Sequence, residues 1–223
     1  MGDLGIIVAM RKEFDSLFPD YAGDFYVEYV GHGRKVIAVT SGIGKVNAAS
    51  TAYHLCCDRR CTQLLSLGCA GAAKSSVKVG DVIISDRCAY HDVWHGKPNK
   101  IGQVQGEGLF YPSQWDLWLP LLEACFENIS RLHIGGILTG DRFIENKKEA
   151  ERIAKISPDI FPLAFDTESA AIAQVCAEHS IGFTSIRTIS DNVFHKKQGV
   201  EYLSFWKKAD DYFKPTRQFI SML

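Results

Sequence analysis

Three carboxylates far apart in the chain share one kind of neighbourhood. Glu13, Glu168 and Asp191 each follow an apolar run and stand at a strand-to-helix junction, in "IIVAMRKEF", "LAFDTESAA" and "SIRTISDN". Glu168 lies two residues from a fourth acid, Asp166, with Thr167 between them. An acid near a helix start has a structural job open to it: it accepts hydrogen bonds from free backbone N–H groups and gains from the helix dipole. Asp166 suits that job best, because it stands just ahead of the helical "ESAAIAQVC" and one residue of "DTES" suffices as a cap. Gathered at one cleft, the other acids can divide labour. A desolvated carboxyl keeps its proton and donates it, whereas a solvated or hydrogen-bonded one stays charged and activates water or binds hydroxyls. That division suits glycosidic cleavage, in which the leaving group needs a proton while the sugar develops oxocarbenium character. Each acid or base contribution is typically worth roughly 10²–10⁴-fold in rate.

Alternating strands and helices must position these groups. "LGIIVA", "RKVIAVT", "TQLLSLG", "GDVIISDRCAY", "LHIGGILTG" and "IGFTSIRTIS" read as short β-branched strands. Between them "GKVNAASTAYHLCCD", "PSQWDLWLPLLEACFEN", "KKEAERIAK" and "SAAIAQVCAEH" read as helices, with "VEYLSFWKKADDYF" as a last amphipathic one. This order predicts an α/β fold around a largely buried sheet. Five strand ends carry the sequences Met10 to Glu13, "SGIGK", "GCAGA", "GDRFI" and Asp191. Ligands of open α/β sheets bind beyond the carboxyl ends of the strands, so these ends should converge on one cleft. "GIGKVN" has Asn47 where a dinucleotide fingerprint needs its third glycine, and it lacks the Lys-Ser/Thr ending of a phosphate loop. The glycines therefore serve close backbone approach or sharp turns, and no cofactor is expected.

A chain of 223 residues fits one domain spanning 1–223. With 46% hydrophobic and 23% charged residues and a net charge of -1, it has the composition of a soluble globular protein with no basic excess for nucleic acid. "MGDLGIIVAMRKEF" has the wrong charge order for a signal peptide, and no run approaches membrane-spanning length. The expectation is a cytoplasmic protein with no membrane partner. Seven cysteines, grouped tightly only in "LCCDRRC", read as reduced core thiols. "YHDVWH" brings His91, Asp92 and His95 together, but no further ligand run accompanies them, so a surface loop or subunit contact is expected rather than a metal site. The segment 92–113 is long for a connection inside a compact domain and reads as a functional or interface loop.

Taken in order, "GIIVAMRKEFDSL", "SGIGKVNAA", "GCAGAAKSSVKVGDVIISD…YHD", "GDRFI", "FDTESAAIAQVC" and "RTISDN" span nearly the whole chain. Together they resemble the bacterial 5′-methylthioadenosine/S-adenosylhomocysteine nucleosidases of the nucleoside phosphorylase superfamily. The resemblance implies a three-layer α/β/α sandwich with a mixed, partly closed central sheet, acting as a homodimer on a small purine nucleoside. In that dimer the 92–113 loop of one subunit borders the other's pocket. By the same resemblance Glu13 activates water, Glu168 binds both ribose hydroxyls and Asp191 donates a proton towards purine N7. Phe143 stacks on the base, the backbone of Ile144 reads the purine edge, and Arg187 lies near the water and ribose. Phe205 forms a hydrophobic wall, and Met10, Cys69 and Thr167 complete the substrate-binding set.

A phosphorylase must bind a phosphate dianion and needs arginine donors for it. Here "AMRKEF" puts Glu13 where the superfamily's phosphorylases carry a Gly/Arg segment, which favours water over phosphate, although Arg11 adjoins it. Two positions depart from the family pattern. Thr167 replaces the usual methionine between the two acids, and Cys69 replaces the serine of "GSAG". These departures keep other readings open: a futalosine or aminofutalosine hydrolase, a purine nucleoside phosphorylase, or a purine-nucleoside binding protein without catalysis.

Overall fold

Strand β1 (Leu4–Val8) is buried along its whole length. Its side chains alternate between two cores, as the two-residue period of a strand requires. Ile7 packs with Ala48, Ala52 and Leu64, while Leu4, Ile6 and Val8 pack with Phe14, Trp118 and Phe219. Helices therefore cover both faces, and the strand reads as a continuous apolar run. A computed structural model describes residues 2–156 and 158–223 of the chain.

The further strands are β2 (Tyr26–Gly31), β3 (Arg34–Thr40), β4 (Gln63–Ala72), β5 (Val82–Tyr90), β6 (Tyr111–Pro112), β7 (Leu132–Thr139), β8 (Pro162–Asp166) and β9 (Gly182–Asn192). The helices are α1 (Arg11–Leu17), α2 (Lys45–Tyr53), α3 (Trp115–Glu123), α4 (Lys147–Ile156), α5 (Ser169–Glu178), α6 (Gln198–Trp206) and α7 (Ala209–Ser221). The sheet runs β2-β3-β1-β4-β8-β7-β5-β6, and β9 bridges β4 and β5. The path β4-β8-β7-β5-β9 thus returns to β4 and closes a ring of five strands. β4–β9 and β7–β8 are parallel, whereas β4–β8 and β5–β9 are antiparallel. Helices α2 and α5 supply Ala48, Ala52 and Ala170–Ala173 to one core, and α1, α3 and α7 supply Phe14, Leu17, Trp118, Leu122 and Phe213 to the other. This is the expected three-layer α/β fold with a mixed, partly closed sheet.

The structure differs from the sequence expectations at several elements. The last amphipathic stretch is two helices, α6 and α7, parted at Lys207–Lys208. The stretch "GKVNAASTAYHLCCD" is α2 followed by a π-helical segment over His54–Asp58. Strands β2, β6 and β8 were not among the expected runs. β2 is an edge strand interrupted by Glu28, β6 has two residues, and β8 is a five-residue run directly before the acids. Strands β4 and β9 continue beyond their expected ends, with consequences for Asp191 described below. All seven cysteines are free thiols, and Cys56, Cys61, Cys88 and Cys176 are buried. Among the described residues no helix is long and apolar enough to cross a membrane.

Candidate active site

The strand ends open on a cavity of about 430 Å³. At the end of β1 the chain turns into α1, and Glu13 sits in its first turn. Its Oε2 accepts from the Met10 N–H at 2.9 Å, so the capping job is real. Its Oε1 reaches across to β4 and accepts from the Cys69 N–H at 2.7 Å. That approach explains the glycine of "GCAGA": a Cβ on Gly68 would lie 2.7 Å from Glu13 Oε1. Burial pushes the Glu13 carboxyl up, while the Cys69 N–H and the charge of Arg187 pull it back.

Between β8 and α5 the two neighbouring acids take separate jobs. Asp166 accepts from Thr139 Oγ1 at 2.6 Å, from the Ser169 N–H at 3.1 Å, from the Ser169 hydroxyl and from Arg187 Nε at 3.0 Å. It caps and braces, as its position in the sequence predicts. Glu168 accepts from the Gly44 N–H at 3.0 Å and from the Thr167 hydroxyl. Gly44 has φ +95°, a left-handed conformation that suits glycine and turns its N–H towards Glu168 at the start of α2. Burial and the adjacent Asp166 charge push Glu168 up to about 7, against the pull of Arg187, Thr167 and Gly44. Arg187, 2% exposed, donates from Nη2 to Ser66 Oγ at 2.8 Å, and this nitrogen lies 2.9 Å from Asp166 Oδ2 and 3.7 Å from Glu168 Oε2.

Asp191 lies inside β9 rather than at a strand-to-helix junction. Ala70 pairs with Ile189 and Gly71 with Asp191, so Ser190 is the extra residue of a β-bulge. The bulge places Asp191 in the cavity wall, and its carboxylate accepts from Ser190 Oγ at 2.6 Å and from Gln198 Nε2 at 2.7 Å. Burial raises its pKa, the Glu201 charge adds to the rise, and only these two neutral donors oppose it. The Cys69 thiol is held well above its usual range by burial and by the Glu13 charge, so it stays a neutral S–H.

The cavity wall brings together Met10, Glu13, Cys69, Phe143, Ile144, Thr167, Glu168 and Asp191. Two expected residues are not in it. Arg187 lies beneath the acids, where it holds Asp166 instead of reaching the space above. Phe205 is fully buried, stacked on Tyr212 at 5.3 Å and edge-on to Phe213 at 5.5 Å, so it belongs to the core between α6 and α7. One turn earlier on α6, Tyr202 forms the aromatic wall and meets Phe143 at 5.9 Å, 68° between rings. Gln198, Tyr202, Ser190 and Ile43 were missed by sequence reasoning. The four-residue spacing of Gln198 and Tyr202, which puts both on one helical face, was the signal that could have found the first two.

Asp92 of "YHDVWH" accepts from Lys45 Nζ at 2.9 Å and from the Asp141 N–H at 2.9 Å, tying this loop to α2 and to the segment before Phe143. Among the described residues no group of three or more His, Cys, Asp or Glu is placed to hold a metal ion.

This geometry has close relatives. The profile of the Phosphorylase superfamily matches residues 3–212. A 5′-methylthioadenosine/S-adenosylhomocysteine nucleosidase of Baumannia cicadellinicola is 33% identical over 172 residues, 74% of this chain and 73% of that protein. The structure of the enzyme of that name from S. pneumoniae, with the transition-state inhibitor MT-ImmA, superimposes with a TM-score of 0.83 at 27% identity over 99% of both chains. A futalosine hydrolase of Helicobacter pylori shares the fold, with a TM-score of 0.84 at 22% identity over 100% of this chain and 98% of that one.

Proposed function

The chain belongs to the Phosphorylase superfamily and, within it, to the 5′-methylthioadenosine/S-adenosylhomocysteine nucleosidases, enzymes that hydrolyse N-glycosidic bonds of purine nucleosides; from that premise we propose that it releases adenine from these two nucleosides, with Asp191 as general acid. The observation that carries this reading is the unequal reach of one cation. Arg187 acts on Glu13 and Glu168, whereas Asp191 accepts only from a hydroxyl and an amide and feels the further negative charge of Glu201. Asp191 is thereby suited to keep a proton and give it to purine N7, which lets the base leave neutral. Glu13 is suited to take a proton from water, with a pKa raised towards the working range of a general base. Glu168 holds the ribose hydroxyls through its Oε2, since Oε1 already accepts from Gly44 and Thr167. Phe143 and Tyr202 flank the base, and the Ile144 backbone meets its edge.

Hydrolysis is favoured over phosphorolysis by where the cations are spent. Arg11 pairs with Asp15 at 2.9 Å and lies 4.1 Å from the centre of the Phe25 ring. Arg187 is engaged by Asp166. Among the described residues lining the cavity the one cation is Arg142, which is paired with Glu149 at 2.9 Å. A phosphate dianion entering beside Glu13 and Glu168 would meet two carboxylates without a compensating fork of donors.

We extend the proposal to a homodimer. Ile43 at the cavity rim, Val46 and Tyr53 of α2, and Trp94 of the 92–113 loop are exposed, and a second copy covering them would border the pocket. Sedimentation equilibrium should give twice the chain mass, and a monomer would refute this part.

The test of the activity is base release from 5′-methylthioadenosine and S-adenosylhomocysteine, followed by chromatography with and without phosphate. Adenine released at the same rate in phosphate-free buffer is the expected result. A strict phosphate requirement would overturn the role of Glu13.

A further inference from the structure

Thr167 stands between Asp166 and Glu168 and lines the cavity. An ionised carboxylate only accepts, so in the contact between the Thr167 hydroxyl and Glu168 Oε1 the hydroxyl is the donor. The Gly44 N–H donates to the same oxygen at 3.0 Å. Oε1 thus has two donors, whereas Oε2 accepts no hydrogen bond from the described residues. Arg187 Nη2 stays 3.7 Å from Oε2, beyond hydrogen-bond reach, and is engaged by Asp166 at 2.9 Å and by Ser66 at 2.8 Å.

Two pulls compete for this carboxylate. Arg187, buried beneath the acids, attracts it away from the cavity, while Thr167 and Gly44 hold it by its other oxygen. The last side-chain torsion of a glutamate is broad, so a single donor leaves the carboxylate free to turn. Here both donors have fixed positions. The Gly44 N–H belongs to the backbone at the start of α2, and Thr167 is β-branched, which restricts its first torsion and keeps the hydroxyl in place. Together they select the orientation in which Oε1 is saturated and both lone pairs of Oε2 remain for donors in the cavity. We propose that Thr167 is a positioning residue for ribose binding: with the Gly44 N–H it holds Glu168 Oε1 against the pull of Arg187 and so presents Oε2 to the sugar hydroxyls. The inference rests on the assignment of Glu168 to the ribose and adds the residue that aims it. The same contact favours the charged form. Burial and the Asp166 charge at the end of β8 push the Glu168 carboxyl up; Arg187 of β9, whose field Glu13 of α1 shares, the Thr167 hydroxyl and the Gly44 N–H oppose the rise. Removing the hydroxyl therefore moves the Glu168 titration upward.

The experiment measures kcat and KM for 5′-methylthioadenosine as a function of pH in the wild type, Thr167→Val and Thr167→Ser, with a carboxyl ¹³C titration of Glu168 in each, assigned by Glu168→Gln. Valine keeps the branched shape and loses the donor; serine keeps the donor and loses the methyl. Thr167→Val should raise KM near neutral pH by roughly tenfold or more, the worth of a hydrogen bond to a charged group, with a smaller change in kcat. The pH below which KM climbs and the midpoint of the Glu168 resonance should both move upward. Thr167→Ser should keep KM and midpoint close to those of the wild type. A KM unmoved by Thr167→Val would overturn the inference. So would a rise in KM without an upward shift of the midpoint, or one that serine shares, because Thr167 would then act by packing or by touching the sugar itself. Release of no adenine by the wild type would overturn the functional reading and this inference with it, whereas an active wild type indifferent to Thr167→Val overturns the inference alone.

Discussion

The two ends of the cavity hold the same functional group in opposite surroundings. At one end Asp166, Glu168 and Glu13 share the field of the buried Arg187 and accept from backbone N–H groups. At the other end Asp191 is buried with only Ser190 and Gln198 as donors. Carboxylates are thus assigned their chemistry by whether a guanidinium and main-chain dipoles reach them, and the fold decides this through one bulge. The bulge at Ser190 takes Asp191 out of step with Arg187 on the same strand.

The largest effect should come from breaking the end that no cation reaches. Asp191→Asn removes the transferable proton and keeps the shape; kcat for adenine release should fall by roughly 10²–10⁴-fold with the thermal midpoint little changed. Near-normal turnover would remove Asp191 from the reaction. Next, Arg187→Met strips the other end of its cation and leaves buried carboxylates uncompensated. Denaturant unfolding should show a loss of about 3–5 kcal/mol, and a loss below that range would mean that the acids do not depend on Arg187.

Glu168→Gln separates stability from function at that same end. The folded-state pKa of Glu168 is pushed up to about 7 from an ordinary 4.5, so between these values the native state holds a proton that the unfolded state has lost. Its contribution is therefore unfavourable at neutral and higher pH, and stability falls as pH rises through that window. Glu168→Gln should accordingly raise stability by about 1–3 kcal/mol near neutral pH and above, while weakening ribose binding. Equal stability changes below and above the window would contradict the shift. In the wild type KM should rise as pH drops below about 7, as Glu168 takes up its proton. The smallest contrast lies on α6. Tyr202→Leu should raise KM by about 2–10-fold through the lost aromatic contact, whereas Phe205→Leu should lower the thermal midpoint and leave KM unchanged. A KM effect from Phe205 alone would reinstate it as pocket wall.

Much of this organisation was legible in the sequence. Strand β1 is apolar and buried on both faces, β3, β5 and β7 each carry a buried apolar stretch rich in Val and Ile, and the two-acid segment announces itself by holding one carboxylate more than a helix cap needs. Asp166 as brace and Glu168 as pocket acid follow from that excess. The register of α6 was not legible, because Gln198, Tyr202 and Phe205 fall on one face of a single helix, and only the break before α7 decides which of them meets core. The bulge was equally hidden: "RTISDN" reads as a strand end, and an extra residue within a strand has no local signature when both neighbours are buried. Arg187 was placed near the ligand by resemblance, while its burial depends on Ser66 and Asp166, distant partners that no local pattern reveals.

The claim on which the rest depends is that Asp191 carries a proton at pH values where an ordinary aspartate has lost it. A carboxyl ¹³C NMR titration of the wild type, with Asp191→Asn and Glu168→Gln used to assign the two resonances, measures this directly. Asp191 should titrate above about 3.9, and Glu168 should titrate at about 7. An Asp191 resonance that titrates at or below the ordinary aspartate value would contradict that claim, because the group would then be a bare carboxylate when the purine needs its proton.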